Sequence, residues 1–489
     1  MEQQALDRKF GSNFMVGLAA GLYPFLHYYN GNFDLADSWV QFFFLFGICL
    51  VLPHILMAIS PFVFKLKFLR KFEKYRRTAV NLILFFGLIG LLAFLFKKKA
   101  LAVTLVGAGL LSFLVYKQLA KLVILQLLLA VLSMFTIVPK LFFMSNYSSE
   151  WTMQSDAISE IVFKSHPNIY LIQPDGYSSF KHLKAPPYNA TDTTFQVTLE
   201  NSGFTLYNDF RSNYYSTLTS NASMFAMKHH YYDNTYRGNL KTYGAQDVVV
   251  GEDNVAVQIL KKNGYKAHLL TDNSYFLVNR KNSIFEYCNV PQERVLLWDT
   301  GGISGIDIAE DFEKLLKTTS DSHNFFFIEK TVPSHIMYGE GASLGIPAER
   351  ERYFERLKMA DEWLTGLLTQ IESHDKNALV IIAADHGGYV GLSYVKEVET
   401  RKLTEEETVS VFNSLLAIKW PHGDAPAYLD LYSNVNLFRN VFAYLGEKPS
   451  LLENLEPDTS YLPLYEGSKA IFYECINDAY QVVYKPLDE

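Results

Sequence analysis

The sequence predicts a multi-span α-helical membrane domain followed by an α/β domain, with a mainly parallel sheet and helices on both faces. Three observations carry this reading. Residues 1–145 are dominated by long apolar runs, although the mean hydropathy of the whole chain is close to neutral. After residue 160 the composition is that of a soluble protein rich in Tyr and Phe, where near-continuous apolar stretches alternate with amphipathic ones. That is the pattern of strands buried on both faces and of the helices that cover them. Several of the apolar stretches run straight into Asp, His or Glu, and ligand sites of open α/β sheets form beyond the carboxyl ends of the strands.

The apolar runs of the first part lie at 12–29, 38–62, 80–96, 100–116 and 119–143. A membrane-spanning helix needs about 20 residues, so five spans are expected, with four as the alternative. The first run has no early cleavage site and is followed by further runs, so it reads as a retained helix and not as a signal peptide. Lys65, Lys67, Arg70, Lys71, Lys74, Arg76 and Arg77 mark the loop after the second run as cytoplasmic, because cytoplasmic loops carry the excess of Lys and Arg. Arg8, Lys9, Lys117 and Lys121 agree, and the 30–37 loop, with only Asp34 and Asp37, faces outward; Lys97, Lys98 and Lys99 dissent. Five spans place everything after residue 145 outside the cytoplasm. The expected organisation is a transmembrane domain of about five helices at 1–145, a polar linker at 146–160 and an extracytoplasmic domain at 161–489. No run carries the paired Asp, Glu or Arg of an ion pathway, which disfavours a transporter.

The formal net charge of -7 argues against nucleic acid as a partner. Of the three cysteines, Cys49 lies in an apolar run, and Cys288 and Cys475 could pair in an oxidising compartment. There is no Cys-x-x-Cys motif, which argues against a thiolate zinc site.

In the second part, Asn168–Ile172 runs into Gln173-Pro174-Asp175-Gly176, and Lys266–Leu270 into Thr271-Asp272. Asn324–Ile328 runs into Glu329-Lys330-Thr331, with His335 shortly after, and Ala378–Ala384 into Asp385-His386-Gly387-Gly388. The clearest helix covers 353–371, with Phe354, Leu357, Trp363, Leu364, Leu367, Leu368 and Ile371 on one stripe. The charged stretch 390–412 reads as a surface excursion above the site. Asp175, His335, Asp385 and His386 all fall at or just after strand ends and so converge in such a fold. Adjacent Asp and His after a buried strand can ligate one cation, and the glycines let the backbone turn tightly. The hydroxyl-rich segment Asn213–Phe225 precedes a helix, whose N-terminal N–H groups favour anions.

An Asp-Gly after the first strand, a Ser/Thr helix start, a lone His in a loop and an Asp-His after a late strand follow one another in an order that resembles the alkaline phosphatase superfamily. Within it the layout is similar to the sulfatase-like membrane transferases, the lipoteichoic acid synthase and phosphoethanolamine transferase group, which also place membrane helices before an exported catalytic domain. The motifs span residues 166–390, and nothing beyond residue 425 adds to them. The resemblance implies an alkaline phosphatase/sulfatase-type fold, a cell (inner) membrane location and a divalent metal, zinc or manganese, held by Asp175, Thr219, Asp385 and His386. Asp175 stands where many of the transferases carry Glu. Thr219 would also be the nucleophile, with Thr217 and Ser220 as rivals. His335 would bind phosphate or protonate the leaving group. A second metal is in doubt, since Thr331 replaces the Asp of an Asp-x-x-x-His pair and His422 is a weak substitute. Asp272 and Lys330 are candidate supporting residues.

The implied activity is metal-dependent transfer of a phosphate-linked head group, of phosphoglycerol or phosphoethanolamine type, from a membrane lipid donor to a glycan or lipid acceptor through a phospho-threonine intermediate. The alternatives are a phosphodiesterase or sulfatase-like hydrolase of the same fold and a non-catalytic membrane-bound binding or assembly protein. Sulfate ester hydrolysis is disfavoured, because formylglycine formation needs Cys or Ser in a x-Pro/Ala-x-Arg context and Met224 stands where Ser220 would need the Arg. Asn146, Asn189 and Asn221 begin Asn-x-Ser/Thr triplets, and a glycan on Asn221 would contradict a nucleophile beside it.

Overall fold

The computed structural model describes residues 10–32, 39–93, 98–145, 148–230, 245–277, 283–291, 295, 304–318, 323–423, 425–429, 431–466 and 469–487. The expectations placed on Arg8, Lys9, Asp34, Asp37, Lys97 and Asn146 lie outside these residues. The chain divides into two compact units close to residue 146.

In the first unit the described part of each apolar run is helical: α1 Asn13–Gly31, α2 Trp39–Val63, α3 Arg76–Ala93, α4 Lys98–Val115 and α5 Leu119–Ser145. Ser12 caps α1 by accepting Met15 N–H at 3.3 Å. Within α2 the turn Gly47–Val51 widens to a π-helix. Pro53 has no N–H for the Cys49 carbonyl, and α1 comes against that carbonyl at Gly21, where a Cβ would sit 1.5 Å from Cys49 O. Polar residues tie the bundle together. Asn81 and Gln126 exchange hydrogen bonds of 3.0 and 2.9 Å, and Asn81 also donates to Val16 O at 2.9 Å, which links α1, α3 and α5. Among the described residues, three helical stretches are long and apolar enough to cross a membrane: Trp39–Val63, Arg70–Leu92 and Lys98–Phe142. The last contains α4 and α5 joined by the 3-10 turn Tyr116–Gln118.

The second unit is built on a seven-stranded sheet, with β1 Ile169–Pro174, β2 Thr205–Leu206, β3 Lys266–Thr271, β4 Tyr287–Cys288, β5 Asn324–Lys330, β6 Leu379–Ala383 and β7 Leu416–Lys419 in the order β2-β7-β6-β1-β5-β3-β4. The strands from β6 to β4 are parallel, and β7 and β2 add antiparallel at one edge. The central strands are mostly apolar along their middles because both faces are covered, and Tyr170, Leu171, Phe326, Phe327, Ile381 and Ile382 are all buried. The helices that follow are α6 Thr194–Asn201, α7 Thr217–Ala226, α8 Val255–Lys262, α9 Ile308–Thr318, α10 Ile346–His374, α11 Glu405–Phe412 and α12 Leu437–Leu445. The stripe expected over 353–371 lies on α10, where Leu357, Leu364, Leu367 and Ile371 are buried; Phe354, Trp363 and Leu368 are only partly so. A second sheet of β8 Ser460–Glu466, β9 Lys469–Ile476 and β10 Val482–Pro486 is antiparallel.

Two expectations need correction, and one open question is answered. The 148–160 segment is packed, not a free linker: Trp151 and Ile158 are buried, and Asp156 pairs with the buried Arg439 at 2.6 Å. The 390–412 excursion is half embedded, with Val395, Val398, Leu403, Val411 and Phe412 in the core and a capping box of Thr404 and Glu407 starting α11. Cys288 in β4 and Cys475 in β9 belong to different sheets, and no disulfide joins them.

Candidate active site

Parallel alignment brings the carboxyl ends of β1 and β6 side by side, with Ile172 opposite Ile382, so Asp175 and Asp385-His386 emerge together. The turn after β1 is fixed by its neighbours. Asp175 N–H donates to Lys330 O at 3.0 Å, Ser334 N–H to Asp175 O at 2.7 Å, and Gly176 N–H to Asp385 Oδ1 at 3.1 Å. Gly176 has φ +71°, and a Cβ there would lie 2.8 Å from the Ser334 backbone, so only glycine fits. Gly388 is excluded from larger residues differently: its Cβ would fall 2.2 Å from the Tyr353 ring.

Ligand-capable atoms of Asp175, Asp385 and His386 all lie within 4.8 Å of one another and all three residues are buried. His386 Nε2 stands 3.3 Å from both Asp175 Oδ1 and Asp385 Oδ2. Its Nδ1 lies 2.8 Å from Gly387 O, an acceptor that fixes the proton there and turns Nε2 toward the carboxylates. Burial raises the pKa of both aspartates above the usual carboxylate range. Burial alone would lower His386, but Asp385 and Asp175 outweigh it and the imidazole is raised. Asp175 Oδ1 and Asp385 Oδ2 are buried without a hydrogen-bond donor. Two such oxygens aimed at one imidazole nitrogen match the donor set of a divalent cation, so these residues fit the metal that the sequence suggested.

The hydroxyl at this cluster belongs to Thr217. Ser216 has the extended backbone of an N-cap, which makes Thr217 the first residue of α7. Thr217 Oγ1 lies 3.2 Å from His386 Nε2 and Thr217 lines the pocket. Thr219, the residue expected there, is turned away: its Oγ1 bonds Ser216 Oγ at 2.7 Å and donates to Ser216 O at 3.1 Å. Two residues along a helix rotate a side chain by about 200°, so Thr217 and Thr219 cannot both face the strand ends. Ser220, the other rival, donates to the backbone carbonyl of Asp385 at 2.6 Å and supports that residue from behind, beside Asn434.

His335 faces the same pocket, with ring centroids 6.1 Å from His386 and 5.8 Å from Tyr389. Burial, with His386 second, lowers it to about 4. It is therefore neutral near pH 7. Its Nδ1, 2.7 Å from Ile336 O, carries the proton and leaves the Nε2 lone pair free. A neutral imidazole of this tautomer accepts a proton at Nε2 before it can give one to a leaving group.

Glu329, at the end of β5, was not singled out from sequence. It is buried in the pocket wall, accepts Thr271 Oγ1 at 2.5 Å and Asn273 Nδ2 at 3.2 Å, and burial, reinforced by Asp272, holds it well above the usual carboxylate range. Its signal was readable, since an apolar run ends in Glu as the others end in Asp. Asp272 supports this corner by accepting Thr331 Oγ1 at 2.9 Å. Lys330 lies over the Trp363 ring at 5.4 Å, and neither it nor His422 lines the pocket. Asn221 is 1 % exposed and donates to Thr217 O at 2.9 Å, so the folded chain offers no room for a glycan there.

A cluster able to hold a cation against a hydroxyl is the apparatus of enzymes that act on phosphate and sulfate esters. The chain belongs to the sulfatase family, whose model matches residues 167–447, and so to an enzyme family of the alkaline phosphatase superfamily. Among solved structures it is similar to the C-terminal periplasmic domain of EptC from Escherichia coli, at 13% identity over 66% of this chain and 99% of that one, with a TM-score of 0.42. It is similar to the integral membrane lipooligosaccharide phosphoethanolamine transferase A from Neisseria meningitidis, at 12% identity over 89% and 95% of the two chains and a TM-score of 0.41. A third is the lipoteichoic acid synthase LtaP from Listeria monocytogenes, at 16% identity over 67% and 90%, with a TM-score of 0.43. No curated protein matches the chain.

Proposed function

We propose that the protein is a membrane-embedded transferase that moves a phosphate-linked head group from a lipid donor to a glycan or lipid acceptor. The observation that carries this is the hydroxyl of Thr217, first residue of a helix, placed 3.2 Å from His386 Nε2 beside two buried carboxylates. On this reading the first unit crosses the cell membrane five times and the catalytic domain lies on its extracytoplasmic side.

Asp175, Asp385, His386 and Thr217 would hold the divalent cation, zinc or manganese by the hardness of the donors. When bound, the cation lowers the pKa of the threonine hydroxyl and neutralises charge on the phosphoryl oxygens. Thr217 Oγ1 attacks phosphorus, a P–O bond to Thr217 forms and the P–O bond to the lipid glycerol breaks. The hydroxyl proton passes by way of His335 Nε2 to the departing lipid oxygen. In the second half an acceptor hydroxyl attacks the same phosphorus and gives its proton by the same nitrogen to Thr217, whose P–O bond breaks. The N-terminal N–H groups of α7 face the oxygens of the phosphoryl group throughout.

The test uses the full-length protein in detergent, with a vesicle donor of labelled phospholipid and a panel of glycan and lipid acceptors. Acceptor-dependent appearance of label in a new product, lost in Thr217→Ala, supports the reading. Release of the free head group at the same rate with and without acceptor makes the enzyme a hydrolase. Absence of both, with Thr217→Ala indistinguishable from wild type, leaves a binding protein.

A further inference from the structure

The pocket over the cluster has a volume of about 520 Å³, and its described lining includes Tyr215, Tyr275, Tyr338 and Tyr389 with no lysine or arginine. Tyr338 and Tyr389 flank His335, with centroids 6.4 and 5.8 Å from its ring. The hydroxyl of Tyr389 donates to the backbone carbonyl of Tyr215, and Tyr215 in turn donates to Glu399 Oε1 at 2.8 Å. These rings are thus tied to one another and to a carboxylate.

The charge on that carboxylate is unmatched. Glu397 and Glu399 belong to the same short helix, Val395–Glu399. Glu397 pairs with Arg401 at 3.1 Å, and Arg401 also pairs with Glu407 at 2.7 Å. Among the described residues no ion pair reaches Glu399. Lys396, its neighbour, lies over the Tyr338 ring at 5.5 Å and does not line the pocket. The other glutamate of the pocket, Glu329, is already satisfied by Thr271 and Asn273.

We propose that Glu399, Tyr215, Tyr338 and Tyr389 form a subsite for an organic ammonium group, so that the phosphate ester handled here carries an ethanolamine- or choline-type cation. The inference rests on the phosphoryl-transfer reading of the same site and chooses among its head groups. An ammonium is attracted by aromatic faces and by an unpaired carboxylate together, and it neutralises a charge that a glycerol head would leave without a partner. An anionic head group would meet Glu399 as a like charge.

The test compares phosphoethanolamine, phosphocholine and glycerol 3-phosphate by calorimetric titration into the full-length, metal-loaded protein in detergent. The expected result is tighter binding of at least one ammonium compound than of glycerol 3-phosphate by about tenfold, a gap of ~1.4 kcal/mol. The two ammonium arms separate a primary from a quaternary cation. Glu399→Gln, which keeps shape and the Tyr215 contact, and Tyr338→Leu, at a residue that is 49% exposed, should each reduce that ratio. Equal binding of all three compounds, or a ratio unmoved by both variants, overturns the subsite. Because titration needs no turnover, an ammonium preference that depends on Glu399 in a protein that transfers nothing would keep the subsite and sink the transferase reading instead.

Discussion

Thr217 Oγ1 and His386 Nε2 lie 3.2 Å apart, although one begins α7 and the other follows β6. The contact exists because Ser216 ends the extended chain and the helix opens one residue later, at the strand ends. The expected outcome is that Thr217→Ala lowers turnover of bis-p-nitrophenyl phosphate by at least ~10³-fold, the scale for removal of a nucleophile. Thr219→Ala should keep most of the activity and instead lower thermal stability, because its hydroxyl binds Ser216. Equal activity losses in the two variants would contradict the assignment.

Metal removal should expose the cost of the aspartate cluster. Asp175 Oδ1 and Asp385 Oδ2 are buried without donors, so a chelated sample is expected to melt below the metal-loaded one. At a metal concentration of a hundred times Kd the difference corresponds to about 2.7 kcal/mol. Asp385→Asn should abolish metal uptake, yet in chelator it should be as stable as wild type or more so. Melting curves with metal analysis check both arms.

Asp361 gives a pH signature away from the metal cluster. Burial raises it from its ordinary 3.8 to about 7, against the opposing hydrogen bond from Tyr177. A raised acid contributes stability while the pH is below its unfolded value and loses that contribution as the pH climbs through the folded one. Wild type should therefore lose stability between about pH 4 and pH 7 through this group, and Asp361→Asn should flatten that part of the curve. Scanning fluorimetry at a series of pH values provides the measurement.

Gly388 faces the Tyr353 ring so closely that Gly388→Ala should cost about 1–3 kcal/mol, the range for overpacking a filled core. Activity should fall as well, since Tyr353 donates to Gly176 O at 3.0 Å, on the turn that presents Asp175. A variant with wild-type melting and activity would show that the ring moves aside freely.

In the membrane unit, Asn81→Val should destabilise the bundle by about 1 kcal/mol, within the range for interhelical hydrogen bonds in bilayers, because Gln126 loses its partner. Adding Gln126→Leu should restore part of the loss. Steric-trap or denaturant unfolding of the detergent-solubilised protein would read it.

The strand ends were legible because apolar runs buried on both faces stop abruptly where the backbone leaves the sheet, and Asp175, Asp385 and His386 are marked by that stop. The choice between Thr217 and Thr219 was not, since Ser216, Thr217, Thr219 and Ser220 are all plausible caps by residue type and only the point where the helix opens decides among them. Tyr188 and Asn434 carried no local signal: Tyr188 OH accepts Gly388 N–H at 2.9 Å and Asn434 donates to Asp385 O at 3.2 Å, both contacts made by distant segments of the chain. Glu399 was hidden for a related reason. A glutamate among Lys and Glu reads as solvated surface until Arg401 is seen to be taken by Glu397 and Glu407.

The burial of Asn221 bears on how the protein can be manufactured. In a secretory pathway that glycosylates nascent chains, the Asn221-Ala222-Ser223 acceptor would be presented before α7 closes over it, and a sugar attached at that moment could not be accommodated beside Thr217 afterwards. A eukaryotic secretory host is thus expected to yield misfolded or inactive product from the natural sequence. Hosts that do not modify asparagine, or a chain in which Ser223 is replaced by Ala, avoid that failure.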